Sequence, residues 1–225
     1  MIGGQCKAAG FDVVAAPVLD LGLPGAHAVI GDRAFSADPG AVAALGRAMA
    51  EGLMAAGMQP VGKHAPGHGR ARADSHLELP VVEESDLAAD WQPFAANADL
   101  PWMMTAHVRY PALDPERPAT LSAAILQGLL RGRFGFEGVL VSDDLAMGAL
   151  SGTMPERAEA ALAAGCDLAL ACDGVAANNE ALLASLPPLS EAANARLKRA
   201  AGLAAAKVRA LDAAALDAER TELLA

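Results

Sequence analysis

Gly138-Val139-Leu140-Val141-Ser142-Asp143-Asp144-Leu145 runs from a turn residue through an apolar stretch of strand length onto two adjacent carboxylates. A run this uniformly apolar reads as a strand buried on both faces, the mark of a parallel sheet covered by helices. The carboxylates then fall at the C-terminal end of a strand, where the connecting loops of parallel α/β folds converge on one pocket. Four other stretches repeat the pattern. Asp12–Val18, Pro60–Gly62, Trp102–Ala106 and Asp167–Ala171 read as strands, followed by Asp20, by Lys63 with His64, by His107 and by Asp173.

Helical periodicity fills the intervals. Ser36-Ala37-Asp38-Pro39 supplies a cap and a first-turn proline, and Gly57 suits the stop of the helix between the first two strands. The same signals place helices after Glu84, after Thr120 and from Pro155 to Ala164. The chain thus reads as β-α five times, an α/β fold of about five parallel strands. Residues 1–225 are expected to form one domain without internal repeats. Its Ala-rich helical segment, 190–225, is expected to run to the terminus over the exterior of the fold, fraying at its last residues.

Composition narrows the function. At 53% hydrophobic and 20% charged, the chain can bury a sizeable core and carries no signature of disorder. Seventeen basic against 27 acidic residues leave a net charge of −10, which opposes nucleic acid and anionic membrane surfaces as partners. No secretory leader or membrane-spanning run is legible. Cys6, Cys166 and Cys172 form an odd set without metal-ligand spacing and read as reduced thiols. A cytoplasmic location is expected.

The densest chemistry lies in Lys63-His64-Ala65-Pro66-Gly67-His68-Gly69, followed by Asp74-Ser75-His76, which holds three of the chain's five histidines. Histidines can serve merely as caps or backbone partners. His64, His68, Asp74 and His76 are also permitted zinc ligands, as in a metal-dependent hydrolase of barrel architecture. The spacing argues against that, because Pro66 and Gly67 break any helix between His64 and His68. At the decisive strand, spacing suggests that Asp143 faces the pocket while Asp144 holds local structure.

Lys63-His64-x-Pro-Gly-His-Gly, Asp74-Ser75-His76, Ala106-His107-Val108 and Val141-Ser142-Asp143-Asp144-Leu145-x-Met147, in this order, resemble the bacterial β-N-acetylglucosaminidases of glycoside hydrolase family 3 that act in peptidoglycan recycling. Ala16-Pro17-Val18-Leu19-Asp20 and Ile30-Gly31-Asp32-Arg33-Ala34-Phe35 match the same pattern, so the resemblance spans most of residues 10–175. It implies a retaining mechanism in which Asp143 attacks the anomeric carbon to form a glycosyl-aspartate. His76 would be the acid/base on a mobile loop, paired with Asp74. Arg33, Lys63 and His64 match positions that bind the sugar hydroxyls. His107, Asp144 and His68 are candidates for supporting roles around them. The implied substrate is a small carbohydrate, a muropeptide with terminal β-linked N-acetylglucosamine, and neither metal nor organic cofactor is implied.

The resemblance also implies a TIM-type (β/α)8 barrel lacking its first three βα units, with Met1–Gly10 as the last turns of a preceding helix. A five-strand sheet standing alone exposes two edges, so this chain by itself is expected to be a poor catalyst. The competing expectation is a remnant that binds sugar without hydrolysing it.

Overall fold

The computed structural model describes residues 1–223. Strands β1 (Val13–Val14), β2 (Gln59–Ala65), β3 (Trp102–Thr105), β4 (Val139–Asp144) and β5 (Leu168–Leu170) form one sheet in the order β1-β2-β3-β4-β5, with every pair parallel. Helix α1 (Ile2–Ala8) precedes β1, and α2 (Pro39–Ala55) and α3 (Ala88–Ala96) follow β1 and β2. A π-helical segment, Ala124–Arg133, follows β3; α4 (Met154–Ala164) and α5 (Ala176–Ser185) follow β4 and β5. The terminal helices are α6 (Glu191–Ala205) and α7 (Ala213–Leu223). The fold is α/β, an arc of five parallel strands with helices.

Local chemistry accounts for the boundaries. Asp38 caps α2 by accepting from the Ala41 amide at 2.7 Å, with Pro39 in the first turn. Thr153 and Glu156 form a reciprocal capping box at the start of α4. The first strand is shorter than the expected Asp12–Val18. Pro17 has no amide to donate, so the β1–β2 ladder stops at Val14 and resumes only as an isolated bridge between Val18 and Lys63. Strands β2 and β4 run further than expected, and so Lys63, His64, Asp143 and Asp144 lie within them rather than beyond them. Helix α5 was not foreseen, because its Asn178-Asn179 pair weakens the helical pattern.

Burial on both faces holds for the central strands only. Strands β2, β3 and β4 are largely buried, whereas Val13 in β1 is 39% exposed and every residue of β5 is half-buried. These are the sheet's edge strands. On one face, Met103 and Leu140 pack with Ala50 of α2, Phe94 of α3, Leu126 and Leu130 of the π-helical segment, and Ala158 and Ala161 of α4. Alternation sends Val61, Trp102, Met104, Val139 and Val141 to the opposite face.

That opposite face receives α6. Ala200 and Leu197 pack against those five residues, so α6 covers the inner face of the arc instead of the exterior expected from sequence. Its alanine-rich side allows close approach, and two of its arginines pair with carboxylates outside it. Arg196 donates to Asp167 at 2.6 Å, Arg131 reaches the same carboxylate at 2.8 Å, and Arg199 pairs with Glu137. The expected single C-terminal helix is two helices, broken over 206–212, and its last residues, 224–225, lie outside the described ones. Among the described residues, no helix is long and apolar enough to cross a membrane.

Candidate active site

Two irregularities in the ladder sit at the ends of β2 and β4. Between Gly62 and Ala65, β2 carries one residue more than β3 does between Met103 and Thr105. Between Val141 and Asp144, β4 carries one more than β5 does between Leu168 and Leu170. Such bulges re-aim side chains that strict alternation would place elsewhere. The extra residues fall at Lys63-His64 and at Ser142-Asp143.

Asp20 organises the first of these. Its carboxylate is fully buried and accepts from the backbone amide of His68 at 2.6 Å, the amide of His64 at 3.2 Å and the His64 ring Nδ1 at 2.6 Å. Burial alone would push this carboxyl up. The charge and hydrogen bond of His64, with those of His68, outweigh it and hold Asp20 below its ordinary value. Because a carboxylate only accepts, the His64 Nδ1 is the donor in that bond, and the ring's Nε2 stands 3.9 Å from Oδ2 of Asp143. Asp20 was legible in the sequence only as one more polar group at a strand end.

His64, Lys63 and Asp143 line a cavity of about 100 Å³ together with Arg33, His68, Ser75, His76, Val29 and Ile30. Burial pulls the Lys63 ammonium below its ordinary value, and Arg33 adds to this, against the opposing pull of Asp143 and Asp20. Arg33 is exposed and braced by a hydrogen bond to the Val29 carbonyl. Asp143 accepts from the Asp144 amide at 2.9 Å through Oδ1.

Asp74 stands outside the lining but touches it through His76. Its Oδ1 accepts from the His76 amide at 2.9 Å and from the ring Nδ1 at 2.7 Å. These two bonds, the backbone one first, hold the Asp74 carboxyl below its ordinary value. With Nδ1 committed to a carboxylate, Nε2 is the nitrogen through which His76 can exchange a proton.

Behind the cavity, Asp144 turns away from it and accepts from the amides of Ala146 and Cys172 at 3.0 and 2.9 Å. Buried His107 lies 3.1 Å by Nε2 from the Asp144 carbonyl and 2.7 Å by Nδ1 from the Thr120 hydroxyl. Burial holds His107 below its ordinary value, and Nε2, facing a carbonyl, is the donor. The geometry therefore gathers Arg33, Lys63, His64, His68, His76 and Asp143 into one cavity, with Asp74, Asp144 and His107 hydrogen-bonded around it. It does not bring Asp173 there; that carboxylate accepts from Asn178 at 2.6 Å and from the Val175 amide at 3.0 Å. Nor do the histidines and carboxylates of the 64–76 loop converge as a ligand set. Among the described residues, no three His, Cys, Asp or Glu side chains are placed to share a metal ion.

The sequence matches a known family, the glycosyl hydrolase family 3 N-terminal domain, whose model aligns with residues 1–202. The chain belongs to that family. The family 3 chain is 46% identical over 209 residues to a β-hexosaminidase from Alkalilimnicola ehrlichii, covering 90% of this chain and 59% of that protein. It is 44% identical over 212 residues to a Pseudomonas aeruginosa β-hexosaminidase, covering 90% and 62%. The chain thus spans about three-fifths of the length of these curated relatives. Among solved structures, it superposes on a family 3 β-N-acetylglucosaminidase from Paenibacillus with a TM-score of 0.82 and 35% identity, over 94% of this chain and 43% of that one. NagZ from Neisseria gonorrhoeae, solved with N-trifluoroacetyl-D-glucosamine, gives a TM-score of 0.79 and 36% identity, over 92% and 66%. The expectation of a family 3, barrel-type fold is met.

Proposed function

We propose that this site is that of a retaining β-N-acetylglucosaminidase. Asp143 attacks the anomeric carbon while His76 Nε2 protonates the departing glycosidic oxygen. His76 then takes a proton from water as that water cleaves the glycosyl-aspartate. Asp74 fixes the orientation of the imidazole, as the third member of nucleophile, base and orienter sets does elsewhere. Arg33, Lys63 and His64 donate to the sugar hydroxyls.

The observation that carries this reading is the shared lining. A carboxylate, a histidine whose Nδ1 is held by a second carboxylate, and three basic donors face one cavity of about 100 Å³. Family membership and the amino sugar bound in the gonococcal relative support N-acetylglucosamine as the sugar. On the same reading the natural substrate is a muropeptide fragment cleaved in the cytoplasm during cell-wall recycling. Residues 1–225 contribute to one catalytic domain on this reading, with 190–223 supplying the helices α6 and α7.

The test is hydrolysis of a chromogenic β-N-acetylglucosaminide beside the matching β-glucoside. Turnover of the first, however slow, should fall by at least about a thousandfold in Asp143→Asn and by about a hundredfold or more in His76→Ala. Binding of N-acetylglucosamine without hydrolysis would replace this reading with that of a sugar-binding module.

A further inference from the structure

His76 is the exposed member of its triplet. Its side chain is 61% exposed and is tied only to Asp74, itself on the same short loop. Ser75 between them is 3% exposed, and it is the one side chain of the three hydrogen-bonded outside the triplet. Its hydroxyl lies 3.1 Å from Nε2 of His68, a buried imidazole whose own amide is held by Asp20. On the other side, the Gly148 and Ala149 amides donate to the carbonyls of His76 and Ser75 at 2.9 and 3.2 Å. Gly148 is a glycine for this reason: a Cβ there would lie 2.7 Å from the Leu77 carbonyl and 2.9 Å from that of His76.

We propose that the Ser75–His68 hydrogen bond is the latch that positions the His76 loop over the site, and that Ser75 and His68 are positioning residues for proton transfer. The proposal rests on the glycosidase reading for its catalytic consequence, though not for the latch itself. Since the His76 ring has no hydrogen bond beyond Asp74, its place relative to Asp143 follows the backbone at Ser75. That backbone is fixed from below by His68, and from the β4 side by two amides following the nucleophile strand. Burial holds His68 below its ordinary value, so the ring is neutral. The neutral ring donates through Nε2 to the serine, which leaves a lone pair rather than an N–H as its unpartnered Nδ1. Asp20 thereby serves both sides of the chemistry, holding His64 against the sugar side and His68 against the acid/base loop.

Ser75→Ala tests the latch in two ways. Hydrogen exchange at the Gly148 and Ala149 amides should quicken by about tenfold, the equivalent of one lost net hydrogen bond. Turnover should depend on the leaving group. An alkyl N-acetylglucosaminide, which needs protonation to depart, should lose about tenfold in kcat. A 2,4-dinitrophenyl glycoside, which does not need it, should change little when azide replaces water as the second nucleophile. His68→Ala should show the same pattern of loss, and His68→Gln, whose amide reaches the Nε2 position, should retain most of the parent's rate. Unchanged amide exchange in Ser75→Ala would overturn the proposal, as would equal losses on both substrates. If the unsubstituted protein hydrolyses neither substrate, the glycosidase reading fails and amide exchange alone decides the latch.

Discussion

Replacing Asp20 by alanine removes one buried carboxylate and strands three N–H groups, namely the amides of His64 and His68 and the ring Nδ1 of His64. Each orphaned buried donor costs about 1–3 kcal/mol, so the expected loss is about 4 kcal/mol if water reaches one of them. With a urea dependence of about 2.5 kcal/mol per molar, the unfolding midpoint should drop by about 1.6 M. Asp20→Asn keeps one acceptor oxygen and should recover about half. The effect has a defined pH range. The Asp20 carboxyl is held below its ordinary value in the folded protein, so its contribution is fully present above the unfolded value of about 4. It fades as pH falls through the lower folded value, and the gap between parent and Asp20→Ala should narrow only in that acidic range. A loss under about 1 kcal/mol at pH 7 would refute the claim that Asp20 organises the site.

Other perturbations follow from the same geometry. Gly148→Ala sets a methyl 2.7 Å from a carbonyl oxygen, and should cut turnover of the alkyl glycoside at least about tenfold with a change in global stability under about 1.5 kcal/mol, read by urea titration beside the rate assay. His68 and His107 are both held below their ordinary values by burial. The unfolded chain therefore binds protons that the folded one does not as pH falls below about 6.5, and each histidine should withdraw up to about 1.4 kcal/mol of stability per pH unit there. In His107→Gln that acid-side slope should be roughly halved relative to the parent, measured by unfolding between pH 7.5 and 5.5.

The sequence was most legible where physical signals were local. Five apolar runs and the Asp38-Pro39 cap mark their elements by chemistry confined to a few neighbours, and five strands and the capped helix α2 are found at those signals, with other bounds for β1, β2 and β4. Convergence at the strand ends was legible too, because parallel strands force it. The directions of the site side chains were not, since the bulges at Lys63-His64 and Ser142-Asp143 break the alternation on which such a reading depends. The hub role of Asp20 joins residues 44 and 48 positions apart in sequence, and no local pattern announces it. The helix that covers the inner face was misplaced for a similar reason: an alanine-rich surface suits either side of a sheet, and the arginine pairs to Asp167 and Glu137 decide. Ser75 carried no signal of its own between Asp74 and His76, because its burial, which makes it an anchor, is a tertiary fact.

Covalent capture of the nucleophile tests the central claim most directly, because it needs only one turnover and tolerates a slow catalyst. A 5-fluoro N-acetylglucosaminyl fluoride slows both steps by destabilising the cationic transition state, but its good leaving group lets the first proceed, so the glycosyl-enzyme accumulates. Peptide mass spectrometry of the quenched protein should find the sugar on Asp143, and Asp143→Asn should remain unlabelled. Label on Asp144 or another carboxylate, or a site that turns over the unfluorinated substrate without ever forming an adduct, would contradict the account.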